Sequence, residues 1–539
     1  MNVPVQLVWL KRDLRLRDHR PLAEAARRGP VIVLYVFEPS LWQSGHLDRT
    51  HYEFVAQSLR ELGNALAALG GRLMIRCGEF PEVLADLFAR QPFEAIFSHQ
   101  ETGDGVTHAR DRRVLGWSRR QGMVWYQFPQ HGVVRGLRDR AGWSSSWQRL
   151  MRQPVVETVA AVDTPPGLGW GEIPTPESLG IPTAIPGTLQ LGGESQAHCH
   201  LASFLGERGK DYRRSLSSPM TAAEHGSRLS PYLAWGNLSI RQVHQAVCQR
   251  QKQLLEIKAQ ERVAVQPWLD SLRSFGSRLI WHCHFIQKLE SEPELEFRNL
   301  CRVYDGLRED DFDQERFERW RLGETGYPMI DACMHYLQQH RWINFRMRAM
   351  LMSFAAYQLW LHWRLPALWL ARNFLDFEAG IHYPQCQMQS GVTGINSIRI
   401  YSARKQLQDQ DPTGSFVKAY LPQLAHVPLN HLAEPWRMSL DEQQRYGCLI
   451  GRDYPSPIVE ERAAIELAKR RIYAVRRTPA ACLAAQAVYL RHGSRQSRFR
   501  DPLPGSASSG PASSSAVSAR AGVGHHDLRQ PFLPGFDDE

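Results

Sequence analysis

The chain has 539 residues and 43% apolar content, enough for more than one domain with large cores, so a disulfide-stapled miniprotein or a disordered chain is excluded. A net charge of +10 and a pI near 9.2 suit an anionic partner such as nucleic acid. The nine cysteines are scattered and form no CxxC, which argues against a zinc ribbon or disulfide framework and for a reducing, cytoplasmic setting.

In chain order, apolar runs at Val5–Leu10, Val31–Phe37, Arg72–Cys77, Ala95–His99 and Val124–Phe128 predict five strands. Helical spacing fills the gaps at Arg20–Arg28, His51–Leu69, Pro81–Arg90 and Val106–Gln121. Alternation of this kind predicts an α/β domain over 1–135, a doubly wound parallel sheet covered on both faces. A linker is expected over 136–196, where prolines and glycines cluster from about 158 onward. Residues 197–490 keep a helical apolar period and predict a large all-α domain. The polar, glycine-rich stretch 491–539 is expected to be a disordered tail. The N-terminus has no long apolar core, and no run of about 18 apolar residues occurs, so neither a signal peptide nor a membrane span is expected. His198-Cys199-His200 and His282-Cys283-His284 lack a second pair at ligand spacing, so no metal site is predicted. Only eight of the 65 basic residues are lysine; the arginines suit phosphate contacts, and a GC-rich coding bias explains them equally well.

The start VWLKRDLRLRDHRPL resembles the first strand and loop of the photolyase/cryptochrome family. SRLSPYLAWGNLS (Ser227–Ser239), LIWHCHF (Leu279–Phe285), GETGYPMIDACM (Gly323–Met334), RIY (Arg399–Tyr401) and GRDYPSPIV (Gly451–Val459) resemble that family's later motifs, in order. The resemblance covers about residues 5–475. It implies a helical domain that holds FAD, the all-α flavin domain of the prediction.

By that resemblance, Tyr212, Gly226, Ser227, Leu229 and Ser230 take phosphate-side and ribityl-side positions, with Gly226 where the family usually has threonine. Unpaired amides at a helix start favour a pyrophosphate; an ordinary helix cap is the plainer alternative for the serines. Arg348 matches an arginine beside the flavin ring, where a fixed cation stabilises reduced flavin; its plainer role is a salt bridge. The acid usually found ten residues later is Gln358 here, so Arg348 is expected to be less neutralised. Within DFEAGIHYPQCQMQSGVTGIN, Asp376 and Glu378 match two flavin-side acids, and His382 lies near the position facing the flavin's reactive nitrogen. His382 is expected there as a hydrogen-bond donor or, charged, as a stabiliser of reduced flavin, with a satisfied buried histidine as the alternative.

On the DNA side, the resemblance places Trp281 against a flipped lesion and Arg278, His282, Arg346 and Gln406 at the DNA mouth. Core packing is the alternative for Trp281. Trp281, His382 and Arg348 are the residues expected to carry the chemistry. Two departures stand out: the family's dimer-repair glutamate is Arg278, and its usual asparagine near the flavin is Phe345. The electron relay departs as well. Trp363 matches the middle tryptophan, the flavin-proximal one falls at Cys386, the distal one falls near Asp310, and Trp360, Tyr383 or Trp342 are the available substitutes. Together these departures resemble a divergent bacterial branch of new photolyase-like proteins. SHQETGDGVTHARDRR (Ser98–Arg113) replaces the family's antenna-side motif and leaves a second chromophore an open question.

The expected function is light-driven repair of cyclobutane pyrimidine dimers by electron transfer from FAD, by a deoxyribodipyrimidine photolyase acting as a monomer on damaged DNA. A cryptochrome-type photoreceptor and a non-photochemical DNA-binding flavoprotein are the competing readings.

Overall fold

The computed structural model describes residues 3–181, 189–257 and 262–493. The predicted tail lies almost wholly outside the described residues, as does 182–188 of the linker.

Strands β1 (Gln6–Leu10), β2 (Val31–Phe37), β3 (Leu73–Cys77), β4 (Ala95–His99) and β5 (Val124–Phe128) form one parallel sheet in the order 3-2-1-4-5. All five predicted strands are present: Val31–Phe37, Ala95–His99 and Val124–Phe128 match without change, and the other two each begin one residue later than predicted. Helices α1 (Arg20–Ala26), α2 (Arg49–Ala68), α3 (Phe80–Arg90) and α4 (Gly105–Arg120) cover the sheet. Because successive strand residues face opposite sides, Leu7, Trp9, Ile32, Leu34 and Ile96 join a core with α3 and α4. Val8, Leu10, Val33, Tyr35 and Phe97 join a second core that runs on into the helical half.

The predicted linker carries a helix, α5 (Trp143–Met151), whose Trp143, Trp147 and Met151 recur at helical spacing and are buried. The helical half is organised by α6 (Ser230–Ala234), α7 (Arg262–Ser291), α8 (Phe345–Ser353), α9 (Arg364–Asn373) and α10 (Ala379–Gln389). The long helix α7 packs against α10, and α8 leads into a π-helical turn at Phe354–Gln358.

The loop after β1 docks on the helical half at the turn after α6. Arg15 is 1% exposed and donates to the Gly236 carbonyl at 2.8 Å, while the Asn237 side-chain amide donates to the Leu14 carbonyl at 3.0 Å. Gly236 has φ +71°, and a Cβ there would meet the Arg12 carbonyl oxygen at 2.0 Å, so this motif glycine permits the close approach.

Candidate flavin site

The site is built around the segment joining α9 to α10. Phe374 ends α9 and turns the chain; Leu375 N–H donates to the Arg341 carbonyl at 2.9 Å, and Phe377 N–H to the Phe374 carbonyl at 2.8 Å. The sheet domain reaches this segment twice. His51 accepts from Asp48 N–H on Nδ1, so Nε2 carries the proton donated to the Phe374 carbonyl at 2.8 Å. Arg12 donates to the Phe377 carbonyl at 2.9 Å and lies 4.5 Å over the Trp235 ring. Neither contact is local in sequence, and neither residue was among those predicted.

Asp376 accepts two hydrogen bonds from Arg348, Nη1 to Oδ1 and Nη2 to Oδ2, both at 3.0 Å. The guanidinium is held further by the Ile343 carbonyl, 2.7 Å from Nε, and lies 4.0 Å over the Phe374 ring. Burial pushes the Asp376 carboxyl up, but the Arg348 charge and hydrogen bonds, with the Ser230 hydroxyl, hold it below its usual range. This corrects the expectation that Arg348 is under-neutralised: Asp376 supplies the missing acid, and Gln358 is buried with its amide given to the Tyr401 carbonyl at 2.8 Å.

The same contacts draw the serine motif to the site, since Ser230 begins α6 and touches Asp376. Between Ser227 and Leu229 stands Arg228, which was not singled out from the sequence. Its φ is +57°, and its guanidinium stacks 4.1 Å over the Trp342 ring. Arg228 has no ion pair among the described residues; Gln190 holds it through Nε at 3.3 Å and through its carbonyl at 2.7 Å. The signal was a bulky residue inside a turn motif, a place where a left-handed backbone carries strain. A third cation, Arg208, donates to the Gly226 carbonyl and, at 3.1 Å, to the Ser227 carbonyl, fixing the loop. A Cβ on Gly226 would lie 2.3 Å from the Ala222 carbonyl oxygen, which accounts for glycine in place of threonine. Leu229 is fully buried beneath this turn.

Tyr212 packs edge-on against Phe204 at 5.6 Å and Phe275 at 5.7 Å. Burial raises its phenol, and a hydrogen bond from Arg278 opposes this. Arg278, predicted as a DNA contact, therefore reaches a predicted cofactor residue.

Glu378 and His382 sit differently from Asp376. Glu378 faces the sheet domain, 3.8 Å from Arg12, and burial raises its carboxyl to about 7, with Arg12 opposing and Glu101 and Asp104 reinforcing the rise. His382 donates from Nε2 to the Ala367 carbonyl at 2.8 Å and lies among the rings of Phe374 (5.8 Å) and Phe377 (5.4 Å). Burial lowers it to about 4, so it is neutral at pH 7 and the charged alternative falls away.

On α7, Trp281 lies one turn from Arg278 and is half-buried against His284 (5.0 Å) and Phe285 (5.8 Å). His282 packs on His131 at 5.4 Å and is lowered by burial to about 4, which makes it an uncharged packing residue here. Arg346 is half-buried, and its charge reaches Tyr401. Gln406 is 6% exposed, with Oε1 lacking a partner among the described residues.

The aromatic residues divide clearly. Trp363 is fully buried, donates Nε1 to Asn299 Oδ1 at 2.8 Å and lies 6.4 Å from the Tyr383 ring. Tyr383 in turn lies 5.5 Å from His382. Trp360 has guanidinium carbons of Arg308 and Arg471 over its ring at 4.5 and 4.9 Å. Two cations so close make a positive hole on Trp360 costly.

The crevice where the strand order reverses, beyond the ends of β1 and β4, is the usual ligand position in such a sheet. At that end of the sheet Glu101, just after β4, pairs with Arg110 at 2.5 Å, and Arg110 also bonds to Glu38 at 2.8 Å and Asp111 at 2.9 Å. Lys11 adds contacts to Glu101 and Asp111 at 3.9 and 3.8 Å. Nearby, Asp13, His19 and His99 converge, 6 and 86 residues apart in sequence. His19 Nδ1 accepts from Leu22 N–H at 3.1 Å, so its proton sits on Nε2 facing Asp13 at 3.0 Å. A metal at that nitrogen would need a doubly deprotonated ring, and the trio is better described as a hydrogen-bonded pin. A cavity of about 300 Å³ lined by Asp48, Arg321, Gln338, Arg341, Trp369 and Asn373 includes none of the predicted flavin residues.

Residues 275–474 match the family described as the FAD binding domain of DNA photolyase, and residues 6–137 match the family described as DNA photolyase. The chain belongs to the photolyase/cryptochrome family. It is similar to a Cryptochrome DASH of Gloeobacter violaceus, 28% identical over 85% of this chain and 94% of the relative. It is also similar to a Deoxyribodipyrimidine photo-lyase of Alkalihalophilus pseudofirmus, 25% identical over 85% of this chain and 95% of the relative. Among solved structures, a class III photolyase from Agrobacterium tumefaciens superposes with a TM-score of 0.75 at 25% identity, covering 89% of this chain and 98% of that one. The segment that closes the site, Phe374–Glu378, lies inside the match to the FAD-binding domain. Among the described residues no helix is long and apolar enough to cross a membrane.

The residues fit a flavin dinucleotide. Arg228 and Arg348 lie near enough for their charges to oppose each other, while Asp376 pairs directly with Arg348 alone, leaving net positive charge for an anionic group.

Proposed function

We propose that this photolyase-family protein repairs cyclobutane pyrimidine dimers in DNA under light, as a member of the new photolyase-like branch. The observation that carries the reading is the Arg348–Asp376–Ser230 constellation beside Arg228, which makes no ion pair among the described residues, within a chain that matches the FAD-binding domain of DNA photolyase. FAD, when bound, supplies the light-absorbing electron donor that dimer splitting requires.

The protein's own groups do the rest. Arg228, Ser227, Ser230 and Tyr212 hold the phosphate and ribityl side. Arg348, oriented by Asp376, keeps a fixed positive charge beside the ring. His382 stays neutral and fixes the α9–α10 junction through Ala367. Trp281 offers the half-buried aromatic surface for a flipped base, with Arg278 one helical turn away and Arg346 as a phosphate contact. Trp363 and Tyr383 form the aromatic route toward the flavin loop. No second chromophore is assigned to the sheet crevice, where the buried Arg110 guanidinium is already paired with Glu38, Glu101 and Asp111. Illumination of the FAD-loaded protein with an oligonucleotide carrying one thymine dimer tests the proposal through restored thymine.

A cryptochrome-type photoreceptor is the second reading. It is favoured by the similarity to proteins named Cryptochrome DASH and by Arg278 in the place of the dimer-repair glutamate. Light-induced flavin reduction with no thymine restored on bound DNA would select it.

A further inference from the structure

Away from the flavin residues, Arg308 is 2% exposed, yet its Nε and Nη2 have no hydrogen-bond partner among the described residues. Its guanidinium carbon lies 4.5 Å from the Trp360 ring centre and 5.7 Å from that of Tyr357. Trp360 Nε1 and Tyr357 Oη are buried and unpartnered as well. Four donors on three neighbouring side chains are therefore present with no acceptor.

The nearby acids are committed elsewhere. Glu309 accepts from the Arg308 backbone N–H at 2.9 Å and faces His362 at 3.6 Å. Asp305 accepts from Asn299 at 2.8 Å, and Asp311 pairs with Arg471 at 3.2 Å. Burial lowers Arg308 to about 10, which leaves it charged at neutral pH. A buried guanidinium without an anion is strongly disfavoured. The backbone also points to a maintained arrangement. Trp360 has φ +57°, a strained conformation that persists only where its surroundings hold it. A Cβ on Gly391 would stand 2.4 Å from Tyr357 Oη, so the glycine leaves the hydroxyl uncovered. Arg471, 4.9 Å over Trp360 and partly exposed, links the cluster to the surface.

We infer that Arg308, Tyr357 and Trp360 form a buried binding site for a small inorganic anion. The guanidinium supplies charge and two N–H donors; the phenol and indole supply one donor each, with no proton exchanged. Halide and phosphate share this chemistry, and the site stands apart from the function proposed above.

The test uses the FAD-loaded full chain at constant ionic strength, with gluconate replaced stepwise by chloride, bromide or phosphate. The thermal midpoint should rise saturably by about 2–4 °C in the preferred anion. Whichever anion saturates at lower concentration identifies the source. Arg308→Met should abolish the saturable rise and Tyr357→Phe should weaken it. Crystals soaked in bromide should show anomalous density between Arg308 and the Tyr357 hydroxyl, and this reading survives any variant that fails to fold. Identical midpoints in every anion together with no bromide density would overturn the site, as would full retention of the rise in Arg308→Met.

Discussion

Arg348 and Asp376 meet in a two-pronged ion pair, each nitrogen–oxygen distance 3.0 Å, across 28 residues of sequence. The pair fixes the α9–α10 junction and sets how much positive charge remains at the site. Removing only the acid leaves a guanidinium against Phe374 with nothing to neutralise it. Asp376→Asn should therefore cost about 3 kcal/mol in unfolding free energy and lower the flavin-to-protein ratio on purification. Denaturant unfolding and the visible absorbance check both. Unchanged stability and full flavin loading would show that the pair does not organise the site.

The two relay candidates should separate. Trp363→Phe should slow photoreduction of the bound flavin by about tenfold or more, equivalent to at least about 1.4 kcal/mol. Tyr383→Phe should give a smaller loss. Trp360→Phe should leave the rate within about twofold, because Arg308 and Arg471 already disfavour a hole there. Transient absorption with an external reductant measures all three.

Glu378 gives a pH signature. Its carboxyl is raised by burial to about 7 from its ordinary value of 4.5, so the folded state keeps a proton that the unfolded state releases across that interval. Its contribution to stability is greatest at and below pH 4.5 and is lost as pH rises toward 7, by about 3 kcal/mol in all. His382, lowered to about 4, acts oppositely and destabilises only as pH falls below its unfolded value near 6.5. Glu378→Gln should remove the downward slope between pH 5 and 7 and make the protein more stable than wild type at pH 8. Urea unfolding across pH 5–8 checks this; parallel curves for the two proteins would count against a buried, proton-holding Glu378.

Restoring the family's usual residue should harm this chain. Gly226→Thr places a Cβ 2.3 Å from the Ala222 carbonyl oxygen and should cost about 1–3 kcal/mol, with weaker FAD retention. The same two measurements used for Asp376→Asn apply. A threonine variant that binds FAD more tightly would mean the loop relaxes and the glycine is not required.

Much of the architecture was legible because it rests on periodic burial. The runs around Leu7–Leu10, Ile32–Phe37 and Ala95–Phe97 are buried on both sides, so their continuous apolar character marked them as parallel strands. Helix α5 was hidden by its position in a linker-like segment, although Trp143, Trp147 and Met151 carry its period. In the site, the motif residues named themselves and their partners did not. The Asp376 partner of Arg348, the Arg12 and His51 contacts to the flavin loop and the Asp13–His19–His99 pin all join residues far apart in sequence. A single chain records such pairs only once it is folded. The expectation drawn from Gln358 failed for that reason: sequence showed an acid missing from one helical position and could not show another arriving from the next loop.

Light-driven dimer repair at the Arg348–Asp376 site is the proposal with the most to lose in a single experiment. The most direct measurement is the yield of restored thymine when the FAD-loaded, reduced protein is illuminated with a thymine-dimer oligonucleotide. A dark control and a matched (6-4) lesion complete the comparison. Thymine should be restored from the dimer in the light, not in the dark and not from the (6-4) lesion, and Asp376→Asn should reduce the yield. Bound DNA and reduced flavin with no thymine restored under light would contradict it.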